Sequence, residues 1–97
     1  METSLMVNVI SIFASYPVKR AALFGSRSRG DEDSNSDFDY IIEFEQEVTS
    51  TQFYDLWDAL EDVLGTSVDI LTPSTLLQLP KKIKSEIENE VRRIYER

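Results

Sequence analysis

The sequence predicts an α/β or α+β fold, in which helices pack against a small mixed β-sheet of about three strands. Short segments rich in β-branched and aromatic residues indicate the strands, and longer segments with apolar residues at helical spacing indicate the helices. Glycine, proline or clustered polar residues separate these segments and mark the turns. The predicted order is therefore helix, strand, polar loop, strand, helix, strand, helix.

The first helix and the first strand precede the polar loop. A helix capped by Thr3 or Ser4 is expected to extend to about Tyr16. Residues 18–24, VKRAALF, indicate a short strand that ends at a Gly-Ser pair. The loop that follows, GSRSRGDEDSNS, has the composition of a turn, and Ser26 can begin a short helical turn with free N–H groups.

The second strand and the second helix have the clearest signals. Residues 38–44, FDYIIEF, are rich in aromatic and β-branched residues, and we expect this strand to be central in the sheet. Thr49, Ser50 or Thr51 then caps an amphipathic helix, and Gly65 is placed to end it.

The third strand and a final helix complete the chain. Residues 67–71, SVDIL, indicate a short strand, and an amphipathic helix is expected after Pro80. Because a helix joins the second and third strands, these strands should run parallel if they are neighbours, whereas the first two can pair antiparallel. The apolar residues assigned to the final helix are Ile83, Ile87, Val91, Ile94 and Tyr95.

Composition excludes several classes of function. The 97 residues suit one domain, spanning 1–97, and a formal net charge of -8 disfavours direct binding to nucleic acid. The chain has neither a long apolar segment nor a signal-peptide pattern, which predicts a cytoplasmic protein without membrane contact. It also lacks cysteine and histidine. Any metal must therefore have oxygen ligands, which favours magnesium, manganese or calcium.

Three acids are the candidate metal ligands and catalytic residues. Asp37 and Asp39 are two positions apart at the start of a strand, so their side chains project the same way. Asp69 lies inside the short third strand, where an ionised carboxylate is costly unless a cation compensates it. If the second and third strands are neighbours, the three carboxylates converge, and their mutual repulsion favours a divalent metal.

These acids also have ordinary structural explanations. Asp37 can be a turn or cap residue, and Asp69 can face water at a strand end. The acidic loop that begins at Asp31 resembles a calcium-binding EF-hand loop, but its sixth position is Ser36 rather than glycine. Its twelfth position is Ile42 rather than glutamate, and its flanks are strand-like, so the EF-hand interpretation fails.

The end of the first strand carries a candidate phosphate site. Gly25 lets the backbone approach a phosphate closely, while Ser26 offers a hydroxyl and backbone N–H groups. Arg27 and Arg29 add positive charge beside this pair. One end of the loop therefore suits a triphosphate, and the other suits the metal that bridges it, which are the two parts that nucleotidyl transfer needs.

The segments FGSRSRG and SDFDY resemble the motifs of the minimal nucleotidyltransferases in the DNA polymerase β-like superfamily, which usually read FGSRARG followed by SDIDL. In this resemblance Gly25 and Ser26 match the phosphate-binding pair, and Asp37 and Asp39 match the metal pair. Asp69 in VDIL matches the third acid. The resemblance spans nearly the whole chain.

The resemblance implies a reaction. It implies transfer of AMP from ATP with two Mg²⁺ ions, for which Mn²⁺ can substitute, and Asp69 is expected to assist deprotonation of the acceptor. Minimal nucleotidyltransferases commonly act as antitoxins to HEPN-domain ribonuclease toxins and can modify a tyrosine of the toxin. Two departures, Ser28 for alanine and Tyr40 for an aliphatic residue, leave the catalytic positions intact.

Two other functions remain open. A binding-only antitoxin would silence its partner by contact while its nucleotide site is vestigial. Transfer to a small molecule or an RNA end is less favoured, because 97 residues leave no room for an acceptor-binding domain. The amphipathic final helix could dock a partner, although packing on its own sheet explains it more simply.

Overall fold

Within residues 3–33 and 36–97, which the computed structural model describes, the chain forms five helices and one four-stranded sheet. The predicted cap at Thr3 falls on a side chain outside the described residues, and Ser4 lies inside the first helix. The elements are α1 (Thr3–Ser15), β1 (Val18–Phe24), α2 (Ser26–Arg29), β2 (Phe38–Phe44), α3 (Ser50–Leu64), β3 (Val68–Leu71), α4 (Pro73–Leu77), α5 (Lys81–Glu90) and β4 (Arg92–Glu96).

The strands lie in the order β3-β2-β1-β4. Strand β1 pairs antiparallel with β2 on one side and with β4 on the other, while β2 pairs parallel with β3. The predicted antiparallel and parallel pairs are thus confirmed, as is the interior place of β2. The parallel register sets Asp39 opposite Asp69, which brings two of the predicted site residues onto adjacent strands.

The predicted final helix is wrong beyond Glu90. Helix α5 ends there, Val91 is extended, and the residues after it form β4 rather than another helical turn. Ile94 and Tyr95 match helical spacing, but they are also residue types that favour a strand. As a strand, this segment pairs with the edge of β1 that β2 leaves open and satisfies the backbone hydrogen-bonding groups there. Tyr95 then packs against Phe13, with 5.8 Å between the ring centroids. Tertiary pairing overrides the local periodicity here.

A short helix, α4, was also not predicted, because Pro73 looked like a break. The side-chain oxygen of Thr72 accepts a hydrogen bond from the Thr75 N–H, and Pro73 occupies the first turn, where it needs no hydrogen-bond donor. Helix α3 begins as expected, with Thr49 and Gln52 forming a capping box, and it ends at Gly65 in the left-handed conformation.

Helices α1 and α3 cover one face of the sheet and form the core with it. Phe38, Tyr40 and Ile42 of β2 point into this core and are buried. Because side chains alternate along a strand, Asp39, Ile41 and Glu43 lie on the opposite face. None of the helices in the described ranges has both the length and the apolar character needed to cross a membrane. The largest fully buried side chains are those of Tyr40, Phe13, Ile42, Leu56, Leu60, Val9, Val18 and Val68.

Tyr40, one of the departures from the family pattern, is a core residue. Its ring packs edge-on against Phe13 at 5.7 Å and stacks on Phe38 at 6.2 Å. Within the described part of the chain its hydroxyl is buried without a hydrogen-bond partner, and burial raises its pKa. Tyr40 therefore changes the packing of the core and not the face that carries the acids.

Candidate active site

Asp39 and Asp69 form the centre of the candidate site. They are paired residues of the adjacent strands β2 and β3, and their carboxyl groups are close enough to share a hydrogen bond. The residues that flank them along each strand, including Phe38 and Val68, are buried in the core. The alternation of side chains therefore places both acids on the face that α1 and α3 do not cover.

The surroundings of Asp39 make its ionisation costly. Partial burial and the negative charges of Asp69 and Asp37, together with the hydrogen bond that protonated Asp39 donates to Asp69, raise the pKa of Asp39 from 3.8 to about 6. The charge of Glu90 adds to this effect. A divalent cation would relieve the repulsion, and carboxylate oxygens are the ligands that hard cations prefer.

Asp37 lies beside the pair and remains exposed to solvent. Its charge reaches Asp39, but residues 3–33 and 36–97 contain no cluster of three acids arranged as ligands of one ion. The structure thus brings Asp39 and Asp69 together and leaves Asp37 at the margin. The chemistry of the three carboxylates fits a divalent metal, and the strand register sets Asp39 opposite Asp69.

Gly25 packs directly on Asp39. Its backbone has φ 78° and ψ -162°, a conformation that is essentially restricted to glycine. A Cβ atom at this position would overlap the Oδ2 atom of Asp39. The glycine is therefore required both by the turn from β1 to α2 and by the close approach of that turn to the acid pair.

The turn leaves backbone donors available. The N–H groups of Ser28 and Arg29 donate to the carbonyl of Gly25 at 3.0 and 3.3 Å, and the Ser28 hydroxyl donates to the same carbonyl at 2.9 Å. The N–H groups of Ser26 and Arg27, at the start of α2, have no acceptor within this short helix. Ser28 is also the buried small residue that stands for alanine in the family pattern.

Arg27 braces the backbone in front of the first acid. Its Nε and Nη2 atoms donate to the carbonyl of Ser36 at 3.2 and 2.9 Å, and its guanidinium lies 4.0 Å from the centre of the Phe38 ring. Both contacts flank Asp37 in the chain. In this structure Arg27 therefore supports the entry into β2 rather than presenting a free guanidinium.

Arg29 is bound by two acids. Its Nε donates to Asp31 at 3.1 Å, and its Nη1 donates to the Oε2 atom of Glu90 at 2.7 Å. Both bonds raise the pKa of Arg29, so it keeps its charge. The Oε1 atom of Glu90 also accepts the N–H of Gly25 at 3.0 Å.

Glu90 is the residue of this site that sequence reasoning missed. Its place depends on β4, which follows it and pairs with β1, and that strand was predicted as helix. Among the acids of α5 nothing in the local pattern distinguishes Glu90.

Sequence comparison relates the chain to known nucleotidyltransferases. Residues 7–97 match the family described as Polymerase beta, Nucleotidyltransferase. MJ0435 of Methanocaldococcus jannaschii, named as a protein adenylyltransferase, is 37% identical over 82 residues, which cover 84% of this chain and 85% of the relative. Protein adenylyltransferase MntA of Thermococcus cleftensis is 30% identical over 76 residues, covering 78% and 77% of the two chains.

Solved structures share the fold. A minimal nucleotidyltransferase has a TM-score of 0.72 at 29% identity, covering 92% of this chain and 88% of its own. A chain of a toxin–antitoxin crystal structure with AMP-PNP has a TM-score of 0.73 at 18% identity, covering 95% and 73%. A chain from the complex of a tri-AMPylated Shewanella oneidensis HEPN toxin with its MNT antitoxin has a TM-score of 0.69 at 14% identity, covering 100% and 74%. The sequence match over residues 7–97 and the shared fold place this chain in the polymerase β nucleotidyltransferase family.

Proposed function

We propose that the protein transfers AMP from ATP to a tyrosine hydroxyl of a HEPN-domain ribonuclease toxin, and that it thereby acts as the antitoxin. The observation that carries the proposal is the acid pair Asp39–Asp69, with the turn at Gly25 packed against it. The relatives named as protein adenylyltransferases support the reaction, and the toxin–antitoxin structures with the same fold support the type of partner. We also propose a cytoplasmic location, where ATP is available.

The turn after β1 would hold the triphosphate. The hydroxyl of Ser26 and the N–H groups of Ser26 and Arg27 are suited to the β- and γ-phosphates. Neighbouring backbone N–H groups in a turn can donate hydrogen bonds to one anion together. The guanidinium of Arg29 would offset charge on the departing pyrophosphate, since its Nη2 atom is not used by Asp31 or Glu90.

The three carboxylates would hold two Mg²⁺ ions, for which Mn²⁺ can substitute. When bound, the metal neutralises the acids and the phosphate oxygens. Asp39 is the innermost ligand, because it is partly buried and touches both Asp69 and the turn. Asp37 completes the donor set from the exposed side.

The order of the strands supports an acceptor side next to Asp69. Gly25 follows β1, Asp39 lies on β2 and Asp69 lies on the edge strand β3, so these three residues follow one another across the sheet. The acceptor hydroxyl therefore enters on the side of Asp69, opposite the triphosphate. Its oxygen forms a bond to the α-phosphorus, the bond to pyrophosphate breaks, and the carboxylate of Asp69 takes the acceptor proton.

Co-expression with the HEPN-domain toxin partner tests this function against binding alone. We expect the parent to restore growth that the toxin arrests, and Asp39→Asn to fail while still binding the toxin. Asp58→Asn, an exposed acid on α3, is the matched control and should protect like the parent. If Asp39→Asn protects as well as the parent, neutralisation is by contact, and the enzymatic proposal is wrong.

A further inference from the structure

Glu90 joins two parts of the candidate site that are distant in sequence. Only 18% of its side chain is exposed, and its two carboxylate oxygens are shared between the Gly25 N–H at 3.0 Å and the Arg29 Nη1 at 2.7 Å. One carboxylate therefore holds the backbone of the turn and the guanidinium that follows it.

The pairing of β1 with β4 fixes this contact. Leu23 pairs with Arg92 at the end of the antiparallel ladder, and Gly25 and Glu90 each lie two residues beyond this pair. The pairing of β1 with β4 therefore holds the backbone of Glu90 close enough for its carboxylate to reach the turn at Gly25. The contact does not depend on a long side chain crossing open solvent, as most surface ion pairs do.

The contact leaves the donors needed for a triphosphate unused. Glu90 takes the N–H of Gly25 and one nitrogen of Arg29, whereas the N–H groups of Ser26 and Arg27 keep no acceptor in α2. A carboxylate that competed with phosphate would instead occupy those donors. The geometry is that of a brace beside the phosphate site.

We infer that Glu90 is a positioning residue, which fixes the Gly25–Ser26 turn and the Arg29 guanidinium in the arrangement that binds the triphosphate of ATP. This inference rests on the proposed function. Without the brace, the turn and the arginine must be ordered when ATP binds, and this ordering weakens the affinity.

Calorimetric binding of AMP-PNP with Mg²⁺ tests the inference without requiring transfer. We expect Glu90→Ala to weaken binding about tenfold, the effect of losing a charged hydrogen bond. Glu90→Gln should recover part of the loss, because its amide oxygen still accepts from Gly25 but the amide group does not pair with the charge of Arg29. Glu88→Ala, an exposed acid on the same helix, should bind like the parent.

The outcomes separate the two claims. Equal binding by the parent and Glu90→Ala would overturn the positioning role, and tighter binding would do so by showing that the carboxylate competes with phosphate. If Glu90→Ala does not fold, Glu90→Gln carries the test, and unchanged binding by that variant, together with unchanged binding by Arg29→Ala, overturns the role. Failure of the parent itself to bind AMP-PNP would instead refute the proposed function.

Discussion

At the scale of single residues, the candidate site makes the ionisation of Asp39 costly. Its partial burial and its acidic neighbours disfavour the charged form that a metal requires. The motif Asp-x-Asp predicts this residue as a candidate metal ligand, because two positions along a strand share a face. The pairing of Asp39 with Asp69 followed from the predicted parallel neighbours, and the structure confirms that pairing.

The raised pKa of Asp39 predicts a pH dependence of stability when metal is chelated. Because its pKa rises from 3.8 to about 6, the native state binds the proton more tightly than the unfolded state. This stabilisation is complete below about pH 4 and is lost as the pH rises through about 6. Asp39→Asn should remove the loss and raise the free energy of unfolding at pH 7 by about 1 kcal/mol, a value reduced for solvent screening.

Urea unfolding in EDTA, from pH 4 to 8, measures this difference. The gap between parent and Asp39→Asn should open as the pH rises from about 4 to about 6, whereas Asp58→Asn should show no such gap. Parallel pH profiles for the parent and Asp39→Asn would contradict a raised pKa of Asp39 in the native state.

Glu90 and Arg27 show what the sequence could not reveal at this scale. Their roles depend on contacts across 65 and 9 residues of sequence, respectively, to Gly25 and Ser36. The arginine was predicted from charge alone as a phosphate ligand, while the structure holds it against the chain before Asp37. No property of an isolated side chain reveals which backbone group it will meet.

At the scale of elements, local signals predicted those parts that local physics determines. The bounds of β1 and β2, the cap at Thr49, which was one of three candidates, and the stop at Gly65 follow from side-chain pattern and backbone preference. Strand β4 could not be predicted in this way, because Ile94 and Tyr95 satisfy a helical spacing and a strand preference equally. The strand forms because this segment can pair with the edge of β1 that β2 leaves open.

The turn between β1 and α2 gives a prediction at this scale. Gly25→Ala should abolish activity and lower stability by about 3 kcal/mol, because the residue must keep a glycine conformation and its Cβ overlaps Asp39. Gly30→Ala is the control, since Gly30 also has a positive φ of 79° but nothing lies within 4 Å of its Cβ. That variant should lose only about 1–2 kcal/mol and stay active.

Thermal unfolding and AMP-transfer assays on Gly25→Ala and Gly30→Ala separate two effects. Both variants strain a backbone of positive φ, but only Gly25→Ala adds the overlap of Cβ with Asp39. If the two alanines cost equal stability and leave equal activity, contact between the turn and Asp39 is not important for the site.

At the scale of the whole molecule, the sheet separates packing from chemistry. One face is covered by α1 and α3 and holds the core, and the other face carries the acids. The net charge of -8 adds to the local repulsion, so the proposed function requires the metal, the turn and the arginine beside it to attract a triphosphate. The parallel pairing of β2 with β3 sets Asp69 opposite Asp39 on that face, which supports the proposed acceptor side next to Asp69.

The mass of the partner protein tests the central claim most directly. The HEPN-domain toxin partner is incubated with ATP, Mg²⁺ and the parent, Asp39→Asn or Asp58→Asn, and its intact mass is then measured. We expect increments of one or more AMP groups with the parent and with Asp58→Asn, and none with Asp39→Asn. An unchanged mass with the parent, while the partner is bound and silenced, would contradict nucleotidyl transfer.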